Sequence, residues 1–138
     1  MIQRIQSIWL LLAGTSSMLT LKFSFFTAQK DGIRFSLNTA SEFYLIIIAV
    51  GIFLSAFISI FLFRNRKRQS SISIIGLLTS LLLNGFFLYA YFKNCYNIKD
   101  AVIALSAIIY FSIPVFFVLA LLAIRKDERL IKSMDRLR

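Results

Sequence analysis

The chain contains no histidine, and Cys95 is its one cysteine among 138 residues. Without histidine the protein lacks the commonest metal ligand and the side chain that most often acts as an acid or base near neutral pH. With a single cysteine no intrachain disulfide can form, so cysteine usage does not indicate a redox compartment. Any catalytic chemistry would therefore depend on carboxylates or on hydroxyl groups.

Acidic residues are also scarce, since 6 Asp and Glu stand against 16 Lys and Arg and give a net charge of +10. The acids show neither metal-ligand nor acid–base spacing; they are Asp31, Glu42, Asp100, Asp127, Glu128 and Asp135. We therefore expect no enzymatic activity, no metal and no cofactor. The basic residues cluster at the ends of apolar runs, where such residues orient a membrane protein and contact lipid headgroups. We expect membrane lipids as partners, and no nucleic acid.

Charge is missing altogether from three apolar runs, residues 43–63, 72–92 and 101–124, which contain 21, 21 and 24 residues. At about 1.5 Å per helical residue, 21 residues reach about 31 Å, close to the thickness of a bilayer's hydrocarbon core. A weaker run, residues 5–21, could also be a secretory signal, but we interpret it as a span with Trp9 near one interface. The chain is therefore predicted to be an all-α membrane protein, a four-helix transmembrane bundle formed by a single domain, residues 1–138.

A polar segment, residues 22–42, separates the first two spans and is predicted to lie outside the membrane. Two short β-prone stretches in it flank Asp31-Gly32, a dipeptide typical of tight hairpin turns. We expect a small extracytoplasmic β-hairpin here. Thr39 and Glu42 have the spacing of a capping box, which predicts the start of the second helix.

The densest positive charge lies between the second and third spans, at Arg64, Arg66, Lys67 and Arg68. Positively charged loops stay on the cytoplasmic side of a membrane, so this loop is predicted to be cytoplasmic. With four spans both termini share that side, which then holds 11 of the 16 basic residues. We expect the four basic side chains to set the topology and to contact lipid headgroups.

The central parts of the spans carry no ionisable residue, which argues against a proton-coupled transporter, a rotary ion carrier or a voltage sensor. Small residues recur there at four-residue spacing and predict helix-packing faces. Asn84 continues one of these faces and needs a hydrogen-bond partner, either on a neighbouring helix, on a partner subunit or in a substrate path. Pro114 is predicted to kink the fourth span. The predicted packing residues are Gly51, Ser55, Ser59, Gly76, Ser80 and Asn84.

The last segment, residues 125–138, is predicted to be a cytoplasmic amphipathic tail helix. It carries a basic stripe and, on roughly the opposite face, an apolar stripe. The tail either lies on anionic lipid or stays upright and docks its apolar stripe on a protein, for example on Ile2 and Ile5 of the first helix. The predicted docking residues are Arg125, Arg129, Leu130, Lys132, Met134, Arg136 and Leu137.

Both ends of the chain resemble one family. The opening residues 1–13 (MIQRIQSIWLLLA) and the closing residues 123–128 (AIRKDE) and 135–138 (DRLR) carry the resemblance. The family is that of domain of unknown function 4293, small four-span bacterial inner-membrane proteins. The resemblance implies a bacterial inner membrane and the topology given above, and it brings no catalytic residues with it.

Two functions stay open on the sequence alone. The spans lack functional polar groups while the small-residue faces and the patterned tail suit protein contacts. This favours a non-enzymatic accessory or structural subunit of a larger bacterial inner-membrane complex, with membrane-protein partners of unknown identity. The alternative is a small transporter or channel for an apolar or weakly polar solute, its route lined by Asn84, Ser80 and the kink at Pro114.

Overall fold

The computed structural model describes residues 2–30, 33–97 and 102–135. Four α-helices make up most of it, which confirms the predicted number. Each helix packs against the next along the chain, and the first also packs against the last, so the four close into a bundle. The helices are α1 (Ile2–Leu19), α2 (Phe43–Phe61), α3 (Arg66–Asn97) and α4 (Ala107–Asp135).

Three of the helices are long and apolar enough to cross a membrane by length and composition: Phe43–Phe61, Arg66–Lys93 and Ala107–Leu130. The apolar part of α1 is shorter, Ile5–Leu19. Despite this, α1 follows α4 over most of its length. Gln6 near the start of α1 contacts the distal part of α4, and the backbone just after α1 contacts the beginning of α4.

The predicted hairpin is confirmed. Strands β1 (Phe26–Lys30) and β2 (Ile33–Leu37) pair antiparallel, with Phe26 opposite Leu37 and Lys30 opposite Ile33. The predicted turn residues, Asp31 and Gly32, lie outside the described residues.

A third strand, β3 (Val102–Ile103), was not predicted. It pairs antiparallel with the other edge of β1 and gives the strand order β2-β1-β3. The prediction that residues 101–124 form one continuous helix is wrong at its beginning, because α4 begins only at Ala107. The run is apolar throughout, and hydrophobicity alone does not separate a buried strand from a helix. Two β-branched residues in sequence favour the strand.

The side chains of Asn38 and Asn65 accept hydrogen bonds at the beginnings of two helices, the short 3-10 helix before α2 and the helix α3. The predicted capping box of Thr39 and Glu42 is wrong, because Glu42 precedes α2 without a side-chain cap bond. Thr39 instead opens a short 3-10 helix, in which Ser41 Oγ donates to Asn38 Oδ1 over 2.8 Å. At α3 the cap is Asn65, whose Oδ1 accepts from the backbone N–H of Arg68 at 3.4 Å. A short amide at this position satisfies a backbone donor of the first turn.

Aromatic rings join the sheet to the bundle. Phe25 and Phe26, at the start of the hairpin, are fully buried. The Phe25 ring centroid lies 5.2 Å from those of both Phe87 on α3 and Tyr110 on α4. An isolated two-stranded hairpin is marginally stable in water. The third strand and these rings fix the hairpin on the helix ends.

Candidate functional site

The main polar contact deep in the bundle involves Asn84 and Pro114. Proline has no backbone N–H, so Pro114 leaves the carbonyl of Tyr110, four residues earlier, without its usual helical donor. Asn84 Nδ2 on α3 donates to that carbonyl at 3.0 Å, and to Ser80 O at 3.0 Å. The amide therefore replaces the missing bond of α4 and ties α3 to it. Asn84 Oδ1 is buried and has no hydrogen-bond partner among the described residues.

The hydroxyl of Tyr110 connects three segments of the chain at the end of the bundle where the sheet lies. Its oxygen lies 2.6 Å from Phe23 O and 2.9 Å from Thr20 O, and either carbonyl can accept its proton. Thr39 Oγ1 donates to the same oxygen at 3.4 Å. The side chains of Tyr110, Thr20 and Thr39 are fully buried. Buried polar groups need such partners, and here the partners come from α4, from the chain after α1 and from the chain before α2.

Small residues let the helices approach closely at one crossing point. A Cβ added to Gly76 would lie 2.5 Å from Ser55 Oγ on α2 and 2.5 Å from Phe117 Cζ on α4. Ser59 and Ser80 are buried on the same helices. Gly51 lies elsewhere: it is exposed, and an added Cβ would meet no atom within 4 Å.

A second polar cluster lies at the opposite end, where α2 turns into α3. Asp127 on α4 is buried there, and its Oδ2 is 3.0 Å from Arg66 Nη1 on α3. Gln6 Nε2 on α1 donates to the same oxygen at 2.9 Å. One carboxylate therefore connects three helices.

Next to this carboxylate, Gln69 and Ser73 of α3 bind Ser59 of α2. Gln69 Nε2 donates to Ser59 O at 3.0 Å, and Ser73 Oγ donates to Ser59 Oγ at 3.2 Å. These two bonds tie the first part of α3 to the last part of α2. Both the start of α1 and the distal part of α4 lie at this end of the bundle, together with the basic turn.

The sequence-predicted basic residues fall into two groups around this cluster. Lys67 and Arg68 are exposed, whereas Arg66 is half-buried against Asp127. On α4, Arg125, Arg129 and Leu130 are exposed. The side chains of Arg64, Lys132 and Met134 lie outside the described part of the structure, as do residues Arg136 and Leu137 altogether.

Sequence reasoning missed Gln6 and Asp127 as partners. In the sequence Gln6 is one polar residue in the weak first apolar run, and Asp127 is one of six acids without catalytic spacing. A signal was available, because Asp127 continues the helical stripe of Phe117, Ala120 and Ile124, all buried in the bundle. An acid on a core-facing stripe needs a partner.

No group of three or more His, Cys, Asp or Glu side chains that could hold a metal ion occurs in the described ranges. The polar clusters set out above are held by hydrogen bonds and by the ion pair of Arg66 and Asp127. Each joins two or three helices, and each lies near one end of the bundle or beside Pro114.

A protein-family model matches nearly the whole chain. The model described as "Domain of unknown function (DUF4293)" matches residues 2–137. The chain belongs to this family. No curated protein and no solved structure matches it. The resemblance predicted from the two termini is confirmed, and it extends through the apolar middle of the chain.

Proposed function

We propose that this DUF4293 member is a four-span protein of a bacterial inner membrane and that it acts without catalysis, as an accessory or structural subunit of a larger membrane complex. One observation carries the proposal. Deep polar side chains such as Asn84 and Tyr110 bond to carbonyls of this same chain, while large apolar side chains cover its outer faces. The interior serves the fold, so the outer faces and the ends remain available for contacts with other molecules.

The length of α1 supports four spans. Between Gln6, which meets Asp127, and Thr20, which meets Tyr110, α1 covers the same stretch as residues 110–127 of α4. At about 1.5 Å per residue, residues 6–20 rise about 21 Å and all 18 residues of α1 rise about 27 Å, which approaches the hydrocarbon thickness. Its polar hydroxyls are compatible with this position, since Ser17 donates to Ala49 O at 2.7 Å and Thr15 to Leu11 O at 3.0 Å.

The orientation follows from charge. Exposed basic side chains of α3 and α4 gather at the end that holds the start of α1 and the distal part of α4, and positive charge stays on the cytoplasmic side. We propose that both termini are cytoplasmic. A cysteine at Asn65, in a chain with Cys95→Ser, should resist a membrane-impermeant thiol reagent added to intact cells. A cysteine at Ser36 of β2 should react. Labelling at position 65 would reverse the orientation.

The accessory role is tested by purification in a mild detergent from cells that express the protein at its native level. A stoichiometric membrane-protein partner should migrate with it. Migration of the bare chain alone, under conditions that keep other inner-membrane complexes intact, would contradict the proposal.

Transport is the second candidate, and the observation that favours it is the buried Asn84 Oδ1, which has no hydrogen-bond partner among the described residues and lies on the side chain that binds the carbonyl left free by Pro114. A solute with a hydrogen-bond donor could bind there. Liposomes containing the protein should then take up a weakly polar solute such as glycerol faster than empty liposomes, by light scattering. Asn84→Leu should remove the excess rate while the protein stays monodisperse. No excess rate in the first comparison removes this candidate.

A further inference from the structure

The outer face of α4 changes from apolar to basic within one turn. Val115, Val118 and Leu122 follow one another along this face at three- and four-residue spacing, and they are 53%, 44% and 56% exposed. Arg125, Lys126 and Arg129 come next on the same face, and all three are exposed. A shallow groove of about 550 Å³ lies at this change, lined by Leu122, Arg125, Lys126, Arg129 and Leu130.

The groove has a net positive charge because three of its lining residues are basic. Asp127 lies on another side of α4, buried against Arg66 and Gln6. Glu128 is half-buried and adjoins Arg125 at i,i+3 spacing, but it does not line the groove, and one acid beside three cations leaves the charge positive. Three cations therefore face one open groove floored by two leucines, and no acid lines it among the described residues.

We propose that this groove binds one anionic phospholipid. The guanidinium groups of Arg125 and Arg129 present planar forks that match a phosphodiester, and the ammonium of Lys126 adds a third charge. An acyl chain would follow the stripe of Leu122 and Val118 toward the middle of the bilayer. A soluble phosphate or a nucleic acid would use the cations and leave the apolar stripe uncovered, whereas a phospholipid covers both. The proposal rests on the membrane placement given above and needs no protein partner.

The test uses the full chain in detergent micelles, titrated with phosphatidylglycerol or with phosphatidylcholine of the same acyl chains, and native mass spectrometry counts the bound lipids. The unaltered protein should bind one phosphatidylglycerol at least about tenfold more tightly than phosphatidylcholine, since each nearby basic residue contributes about fivefold. The triple variant R125Q/K126Q/R129Q should lose about 100-fold in affinity for phosphatidylglycerol. The variant R125K/R129K keeps the charge without the planar forks and should fall between the two.

The matched control is K22Q/K67Q/R68Q, which removes the same charge from exposed residues that are not among those lining the groove. It should lose less than about fivefold, one charge's worth. Equal losses in the two triple variants, or equal binding of the two lipids by the unaltered protein, would overturn the proposal. Displacement of the lipid by excess inorganic phosphate would also overturn it, because the groove would then be a phosphate site. If the first triple variant aggregates, R129Q alone should lose about fivefold. The measurement uses isolated protein, so its result is independent of whether a membrane-protein partner exists.

Discussion

Replacement of Asp127 should weaken the whole bundle, because this one carboxylate contacts α1 and α3 from α4. Its Oδ2 accepts from Gln6 Nε2 at 2.9 Å and pairs with Arg66 Nη1 at 3.0 Å. A hydrogen bond to a charged group is worth about 1.5–3 kcal/mol. The ion pair adds less than a fully buried one, since the side chains of Arg66 and Asp127 are 19% and 10% exposed and lie at the end of the bundle.

We take about 1 kcal/mol for the pair, the upper value for exposed pairs. Asp127→Ala should then lower the free energy of unfolding by about 2.5–4 kcal/mol. Asp127→Asn keeps an oxygen that can accept from Gln6, so it should cost about 1–2 kcal/mol, mainly the ion pair and the charge on the hydrogen bond. In a double-mutant cycle, Asp127→Asn and Arg66→Gln should show a coupling of about 1 kcal/mol.

Unfolding can be followed in detergent by titration with SDS, using the fluorescence of the single tryptophan. Trp9 on α1 stacks against Phe116 on α4, with ring centroids 6.0 Å apart, so its emission reports separation of these two helices. Glu42→Gln removes one exposed negative charge and is the matched control, expected within about 0.5 kcal/mol of the unaltered protein. Equal stability of Asp127→Ala and this control, or additive losses in the cycle, would contradict a stabilising role of the carboxylate.

Three further changes test the interior of the bundle by the same unfolding measurement. Gly76→Ala should cost about 1–3 kcal/mol, because its Cβ would overlap side chains of two neighbouring helices. Gly51→Ala, with open space around it, should be neutral or stabilise by up to about 1 kcal/mol. Equal changes in stability for the two variants would contradict the close packing at Gly76. Tyr110→Phe should cost about 1–3 kcal/mol, since it removes the hydroxyl proton that Phe23 O and Thr20 O share and leaves Thr20 O only the backbone N–H of Thr39 as a donor. An unchanged stability would contradict this role of the hydroxyl. Asn84→Leu should cost about 0.6–2 kcal/mol. The cost should be clearly smaller in a chain that also carries Pro114→Ala, because the alanine restores the backbone N–H to α4. An equal cost in both backgrounds would show that Asn84 does not replace the missing hydrogen bond.

The main elements could be predicted from the sequence because each follows from a local pattern. Uninterrupted apolar runs indicate α2 and most of α3, and Asp31-Gly32 between β-prone stretches indicates β1 and β2. Strand β3 was missed because its partner lies about 75 residues away, at Phe26 and Thr27. Pairings of this kind depend on the fold of the whole chain and leave no local pattern.

The polar contacts between helices are also hard to predict from the sequence. The sequence indicates that Asn84 needs a partner and that Pro114 leaves a carbonyl without a donor. It contains nothing to show that the two requirements satisfy each other at 3.0 Å. Gln6 and Asp127 are harder still, because neither is unusual until α1 and α4 are placed side by side. Partners from distant helices meet only after the bundle has closed, so the residue types can be predicted and the pairs cannot.

The start of α3 shows why the charges of this chain are better explained by a membrane than by helix stability. Arg66, Lys67 and Arg68 form its first turn, where the helix dipole favours acids and each cation costs about 0.3–1 kcal/mol. A soluble helix would gain by placing acids there. Cations at this position are useful when they fix the orientation of the protein in a bilayer. Asp127 then brings a negative charge from α4 to the same helix end, offsetting part of the cost and holding α4 in place. Asp127 should therefore be needed for the stability of the bundle, while the exposed cations beside it should be needed for its orientation.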